Sequence, residues 1–136
     1  MNIDDVREHI RENHHAVLAT IRRDGGVQMS PVAVGVDDDG SLVISTRETA
    51  MKTANIRRHP FAYLCVIQDS FYGQWVQAEG RVTVESLPDA MEGLIRYYRG
   101  VAGEHPDWDD YRAAMERDRR VLLHLHIERV GPNRQG

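Results

Sequence analysis

The fold is decided by a predicted β-hairpin in residues 16–33, which read Ala16-Val17-Leu18-Ala19-Thr20-Ile21-Arg22-Arg23-Asp24-Gly25-Gly26-Val27-Gln28-Met29-Ser30-Pro31-Val32-Ala33. The apolar run over residues 16–22 predicts a strand, and Asp24-Gly25-Gly26 is a strong signal for a tight turn between antiparallel strands. The second strand is predicted to return over residues 27–36. Because proline has no backbone N–H, Pro31 indicates an edge, a bulge or a ligand-facing break in that strand.

The rest of the chain alternates short apolar runs with turn signals and helical periodicity. Further strands are predicted at 41–46, 61–68, 74–84 and 121–127, and helices at 3–13, 49–59, 88–101 and 107–117. Thr49 is expected to cap the second helix and Pro88 to open the third, since these residue types favour the first positions of helices. Residues from Gly131 onward are expected to form a short loose tail.

Six strands joined mostly by tight turns predict a single α+β domain over residues 1–136. Its centre is expected to be a small six-stranded antiparallel barrel, with helices filling the ends and gaps. A barrel of this size has little room inside for a large ligand. A cofactor is therefore expected in a groove on the outside, walled by a second subunit.

Composition narrows the class of protein. A formal net charge of -4 argues against a nucleic-acid partner held by overall electrostatics. No apolar run approaches the roughly 18–20 residues needed to cross a bilayer, and the N-terminus lacks a signal-peptide core. The single cysteine, Cys65, excludes an internal disulfide framework and is expected to lie inert in the core. These features predict a cytoplasmic protein without a membrane partner.

One strand-to-helix junction carries the residue types of an anion site. The basic residues are 16 Arg and one Lys, Lys52, which lies on the predicted second helix. A helix N-terminus offers unpaired N–H groups to a phosphate, and Ser45, Thr46 and Arg47 precede it. Lys52, Asn55 and His59 are spaced to share one helix face. From residue types alone, a solvated helix face remains an alternative.

Three stretches resemble the flavin/deazaflavin oxidoreductase superfamily, the split-barrel group that includes pyridoxamine-phosphate oxidase. The first comprises residues 18–25 with 28–32, and the second comprises Ser45-Thr46 with residues 52–60. The third comprises residues 78–82 with 102–112 and 118–121. The run Ala102-Gly103-Glu104-His105-Pro106-Asp107-Trp108-Asp109-Asp110-Tyr111-Arg112 resembles the mycobacterial members of the B branch, which bind coenzyme F420.

The resemblance implies a cofactor site on a split β-barrel homodimer. It places the cofactor's phosphate on Ser45, Thr46 and Lys52, with Arg47 and Asn55 beside them. The ring is then expected to lie against residues of the first two strands, with Trp75 and Gln77 as a floor for the groove or the substrate pocket. The expected ring residues are Thr20, Ile21, Gln28, Met29, Ser30 and Pro31. Together with the Arg-rich composition, the resemblance suggests a high-GC actinobacterial source.

The resemblance implies an F420-dependent oxidoreductase that transfers a hydride between the deazaflavin and a small unsaturated organic substrate. Three alternatives stay open: an FMN-dependent oxidase or reductase of the pyridoxamine-phosphate oxidase type, a non-enzymatic F420 carrier, and a haem-binding split barrel. The tail Glu128-Arg129-Val130-Gly131-Pro132 lacks the Arg-x-His pattern of the oxidases. No side chain is nominated as catalytic. No metal is expected, since His124 and His126 have no evident carboxylate or cysteine partner.

Overall fold

The predicted hairpin is present in the computed structural model, which describes residues 1–132. Strand β1 (His15–Ile21) pairs antiparallel with β2 (Val27–Ala33) in a register that places Thr20 opposite Gln28. At the turn, the Arg22 carbonyl accepts from Gly25 N–H at 3.0 Å, and Arg22 N–H donates to the Gly26 carbonyl at 2.8 Å. Gly25 has φ +86°, a conformation that costs a glycine little.

The remaining elements complete one curled antiparallel sheet with helices on both sides. They are α1 (Ile3–Glu12), β3 (Gly35–Val36), β4 (Leu42–Arg47), α2 (Met51–Arg58), β5 (Phe61–Ile67), β6 (Trp75–Glu85), α3 (Met91–Ala102), α4 (Trp108–Arg117) and β7 (Arg120–Gly131). The strand order is β2-β1-β5-β6-β7-β4-β3, and every paired strand is antiparallel to its neighbour. Strand β2 curls back towards β4, so the sheet forms an incomplete barrel. None of the helices in residues 1–132 is long and apolar enough to cross a membrane.

The antiparallel α+β fold is confirmed, but the number of strands is seven within the described residues. The predicted strand over residues 27–36 is interrupted at Val34, whose N–H donates to the His14 carbonyl at 2.8 Å. Residues 35–36 then pair with β4 as a separate strand. Pro31 does not cause this break. It lies within β2, opposite Val17, where β2 ends the strand order and a missing N–H costs little.

Three predicted element ends are wrong. Thr49 does not cap α2, because the N-cap is the next residue, Ala50, which makes no side-chain capping bond. Pro88 lies in a turn before α3, whose N-cap is Ala90. Strand β7 continues through Gly131, where a loose tail was expected, because Gly131 pairs with Gln77 of β6.

Two apolar clusters sandwich the sheet. The first fills the concave side, where Val6 and Ile10 of α1 pack with the inward residues of the strands. The second lies on the opposite side of β4 and β7, where Leu94 and Ile95 of α3 and Tyr111 of α4 cover Val43 and Leu122. Trp108 packs against the second cluster together with Tyr111, three residues along α4. The two faces of β4 and β7 are therefore both covered, which fixes their pairing register.

Gly80 allows β6 and β7 to stay paired across an irregularity. Glu79 lies opposite Arg129 but Gly80 lies opposite Ile127, so β7 carries one extra residue there. That residue is Glu128, whose carboxylate accepts from the Arg81 N–H at 2.8 Å. A Cβ on Gly80 would overlap the carbonyl oxygen of His126. The motif at residues 78–82 is thus explained by a β-bulge that only glycine fits.

We expect Gly80→Ala to lower the free energy of unfolding by about 1–3 kcal/mol, because the new methyl group meets a backbone atom that cannot move alone. Gly100→Ala is the matched control, since a Cβ on this α3 glycine meets nothing within 4 Å. In a helix, that change should raise the free energy of unfolding by about 0.5–1 kcal/mol. Urea denaturation of both variants checks the pair, and equal effects would contradict the bulge interpretation.

Candidate functional site

The junction between β4 and α2 is held in place by hydrogen bonds to main-chain carbonyl groups. Thr53 Oγ1 donates to the Arg47 carbonyl at 2.6 Å, and the Ala50 N–H donates to the same carbonyl at 3.1 Å. Glu48 N–H donates to the Arg119 carbonyl at 2.9 Å, which ties the junction to the start of β7. The junction therefore forms from two segments that are about seventy residues apart in the sequence.

Three cations meet at this junction, and we call Arg47, Lys52 and Arg120 the cation cluster. The register of β4 and β7 places Arg47 directly opposite Arg120. Burial, and then the positive charge of Arg120, lowers the pKa of Lys52 below its ordinary value. Like charges so close together destabilise each other unless an anion lies between them.

Asp118 lies beside the cation cluster but does not hydrogen-bond to its arginines. Asp118 Oδ2 is 3.9 Å from Arg47 Nη2 and 3.9 Å from Arg120 Nε, which is beyond hydrogen-bond distance. Arg120 Nε is buried and has no hydrogen-bond partner within residues 1–132. A buried guanidinium N–H without an acceptor is costly, so its geometry favours an anionic ligand.

Ser45 and Thr46 lie on opposite faces of β4. Ser45 is half-buried on the same face as Arg47, with Leu122 opposite it on β7. Thr46 is buried on the concave side with Val121 opposite it. Only Ser45 therefore shares a face with the cation cluster, and Thr46 can contribute to an anion site there only through its backbone.

Sequence reasoning missed Arg120 and Tyr97 as neighbours of this junction. Tyr97 Oη donates to the Ala33 carbonyl at 2.9 Å, and burial raises the pKa of Tyr97 although Ser45 N–H and Arg120 oppose that shift. Arg120 belongs to a resembling stretch, but nothing local distinguishes it from the other arginines. The signal that identifies Arg120 is the pairing of β4 with β7, which places it opposite Arg47.

A cavity of about 770 Å³ opens beside the cation cluster and has Arg120 in its wall. It lies between the junction, the connection from β6 to α3, and α4, and it includes Glu48, Met91 and Arg112. Glu48 is paired with Arg57 at 2.8 Å, and Glu92 with Arg112 at 3.5 Å. Its size is that of an ordinary small-molecule site.

The residues predicted to line a ring are divided between the two faces of the β1–β2 hairpin. Thr20, Gln28 and Ser30 point to the concave side, as strand alternation and the cross-strand pairs require. Ile21, Met29 and Pro31 point outward. Trp75 and Gln77 of β6 point outward as well, on either side of the buried Val76. One ligand ring cannot contact all eight side chains through one face.

The concave set connects directly to α2. Thr20 and Asn55 are 0% and 1% exposed, and Asn55 Nδ2 donates to Thr20 Oγ1 at 3.1 Å. Thr20 Oγ1 donates in turn to Gln28 Oε1 at 3.2 Å. Ser30 Oγ is buried and, in the described part of the chain, has no partner. Asn55 therefore uses its side chain internally, and it does not share a solvent face with Lys52 as its spacing suggested.

His59 does not lie on the predicted helix face either. This residue is the C-cap of α2, beyond the last helical residue Arg58, and it is exposed. The helix ends early because Pro60 cannot extend it. Lys52 is thus the residue of the predicted trio that belongs to the cation cluster.

The outward set belongs to a broad apolar surface, which we call the outer face. It spans β2, β1, β5 and β6, and its most exposed members are Val27 (46%), Met29 (66%), Tyr63 (37%) and Trp75 (42%). Ala19 lies between Met29 and Tyr63, so the patch is continuous across strands. Cys65 lies on this face and is half-buried, so the expectation of a core position is wrong; burial raises the pKa of its thiol.

The expectation that His124 lacks a carboxylate partner is also wrong. His124 Nε2 is 3.1 Å from Glu85 Oε1, and Nδ1 is 3.1 Å from Ser41 Oγ, which donates to Asp39 at 2.6 Å. Asp37 lies beside them but is held by Arg96 at 2.9 Å. Each ring nitrogen of His124 thus has a hydrogen-bond partner in the chain, so the cluster is satisfied by bonds among its own residues.

The comparisons with known proteins agree with this architecture. The family model described as pyridoxamine 5'-phosphate oxidase matches residues 3–133. The F420H(2)-dependent biliverdin reductase of Mycobacterium tuberculosis (strain CDC 1551 / Oshkosh) is 30% identical over 131 residues, which are 93% of this chain and 85% of that protein.

Two solved structures share the fold. The conserved hypothetical protein Rv2991 from Mycobacterium tuberculosis superposes with a TM-score of 0.76 at 21% identity, over 96% of this chain and 82% of that one. A structure described as an F420 reductase gives a TM-score of 0.68 at 20% identity, over 91% and 94% of the two chains. These matches confirm the predicted split barrel. The chain belongs to the pyridoxamine 5'-phosphate oxidase family.

Proposed function

We propose that this protein is an F420-dependent oxidoreductase that works as a homodimer on a small unsaturated organic substrate. The observation that carries the proposal is the cation cluster, in which the buried Arg120 Nε, beside Lys52, has no acceptor among residues 1–132. A phosphate would supply the missing acceptor and offset the repulsion between the cations. Ser45 on the same strand face adds a hydroxyl donor.

The choice of F420 over FMN rests on the relatives, because both cofactors carry a phosphate. The 30% identical mycobacterial protein is described as dependent on F420H(2), and its match covers 93% of this chain. The 102–112 run that resembles the F420-binding branch forms the end of α3, the following loop and the start of α4. FMN is the alternative cofactor, and it would use the same cation cluster.

When bound, the reduced deazaflavin supplies a hydride to an electrophilic carbon of the substrate, and a proton from solvent completes the reduction. The residues of this chain would bind the cofactor and orient it. Arg47, Lys52 and Arg120 would hold its phosphate, and the β1–β2 hairpin would support its ring. The proposal assigns no side chain as proton donor.

The outer face supports the homodimer. Val27, Met29, Tyr63 and Trp75 form a continuous apolar patch of a kind that monomeric proteins rarely leave exposed. Pairing two copies through this face would bury these side chains and would bring Trp75 and Gln77 of one copy towards the hairpin of the other. Such an arrangement would give each cofactor groove a wall from the partner.

We expect purified protein to bind F420 more tightly than FMN, and Lys52→Met and Arg120→Met each to weaken F420 binding by about 1–3 kcal/mol, the scale of a lost charge-assisted hydrogen bond. Fluorescence titration measures both affinities. Arg11→Gln on α1 is the control, since it removes one exposed positive charge without touching the junction. Unchanged affinity in both junction variants would remove the cation cluster from the site.

The absorbance spectrum of the purified protein, and then a turnover assay, separate the alternatives. A protein that purifies yellow with FMN would favour the oxidase, and a Soret band would favour haem. Turnover of a conjugated enone or quinone by reduced F420 would then distinguish an enzyme from a carrier, because a carrier binds the cofactor without consuming it.

We also expect Lys52→Met to leave the ligand-free protein as stable as the wild type or more stable near neutral pH, because it relieves repulsion from Arg120. The pKa of Lys52 is lowered on folding, so the unfolded chain binds more protons as the pH rises towards 10.5. Wild-type stability should therefore rise relative to the variant over that range. Urea denaturation at pH 7 and pH 10 tests this, and a fall relative to the variant would refute it.

For the homodimer, we expect Met29→Glu to produce monomers in analytical ultracentrifugation, because a charge would be buried at the centre of the outer face. Ala113→Glu is the matched control, since Ala113 is exposed on α4, which covers β4 and β7 and not the strands of the outer face. A wild-type monomer at the highest concentrations tested would overturn the dimer.

A further inference from the structure

A chain of hydrogen bonds joins α2 to the β1–β2 hairpin, and we call its four residues the relay. Arg58 Nη2 donates to Asn55 Oδ1 at 3.0 Å and to the Ile21 carbonyl at 3.1 Å. Asn55 Nδ2 donates to Thr20 Oγ1 at 3.1 Å, and Thr20 Oγ1 donates to Gln28 Oε1 at 3.2 Å. The relay thus runs in one direction from Arg58 to Gln28.

The direction follows from the donors and acceptors that each side chain possesses. Arginine has no acceptor, so the oxygen of the Asn55 amide must face Arg58 and its NH₂ group must face Thr20. Thr20 Oγ1 accepts that bond and keeps one hydrogen to donate. Because Thr20 is fully buried, this hydrogen needs an acceptor, and Gln28 Oε1 lies within reach.

Gln28, the last member, makes no hydrogen bond through its own donors in the described part of the chain. Gln28 uses its amide oxygen within the relay, so its Nε2 group points away from Thr20 with two N–H groups. Gln28 is half-buried on the strand that ends the sheet, so it borders solvent as well as the concave side. Asn55 lies three residues from Lys52 on α2 but points to the concave side, so only the helix itself connects the relay to the junction.

We propose that the relay makes Gln28 a specificity-determining residue, which presents N–H donors and not an acceptor to a carbonyl oxygen of the cofactor ring. Thr20 and Asn55 are then positioning residues that act through Gln28. The inference rests on the proposed function, since the ring is that of the deazaflavin or flavin. Thr20 and Asn55 would then do more than hold α2 against the hairpin, because they also fix the orientation of the Gln28 amide.

The test separates ring binding from phosphate binding. Thr20→Val removes the hydroxyl at nearly constant volume, and Thr20→Ser restores it. We expect Thr20→Val to weaken F420 binding by about 3- to 10-fold, the range for one oriented hydrogen bond. Thr20→Ser should stay within about twofold of wild type. The inhibition constant of inorganic phosphate in displacing F420 should be unchanged in both variants, whereas Lys52→Met should weaken F420 and phosphate alike.

A second substitution addresses the amide itself and does not depend on the buried threonine. Gln28→Glu keeps an oxygen for Thr20 but replaces the N–H donors with a carboxylate oxygen, which repels a ring carbonyl. We expect it to weaken F420 binding more than Gln28→Leu does, with phosphate inhibition again unchanged. Gln74→Glu, at an exposed position in the connection between β5 and β6, is the control.

Each outcome decides the proposal. Wild-type F420 affinity in Thr20→Val, or Gln28→Glu binding as tightly as wild type, would overturn the relay while leaving the proposed function intact. An equal loss of phosphate and F420 affinity in Thr20→Val would show a merely structural role and would overturn it too. A wild-type protein that binds phosphate but neither F420 nor FMN would overturn the proposed function and the relay together.

Discussion

The pairing of β4 with β7 is the constraint on which the rest of the molecule depends. On the concave side it places Leu42 and Ile44 opposite Leu125 and Leu123, all of them buried. The same register necessarily puts Arg47 opposite Arg120 at the end of the ladder. A slip of one residue would separate the arginines only by turning the leucines out of the core. The apolar core therefore maintains an unfavourable contact between cations, and that contact is where an anion gains most.

The local parts of the fold were predictable from sequence because their causes are local. The turn at Asp24-Gly25-Gly26 and the alternation along β1 and β2 need only neighbouring residues, and the structure confirms both. The small strand β3 was not predictable, because its separation from β2 depends on a bond between Val34 and the distant His14. The N-cap at Ala50 follows the turn in which Ala50 N–H and Thr53 Oγ1 donate to the Arg47 carbonyl, and not the capping preference of Thr49.

The candidate site follows the same rule. Lys52 and Ser45 stand out by residue type and by resemblance, and the structure places them beside one junction. Arg120 emerged only from the strand register, because its partner Arg47 is more than seventy residues away. The carboxylates around His124 were missed for the same reason, since Glu85 reaches it from the neighbouring strand. Residue types indicate which chemical groups a chain has, and long-range strand pairing decides which of those groups lie at the same site.

Strand β2 has a further consequence for how the protein associates. As the last strand in the order, it exposes main-chain groups to which another chain could add a strand. Pro31, in its middle, removes one of the N–H groups that such an addition would need, and the opposite edge, β3, is only two residues long. Both ends of the sheet are therefore poor templates for runaway fibre-like growth. The proposed pairing through the outer face would use neither of these edges.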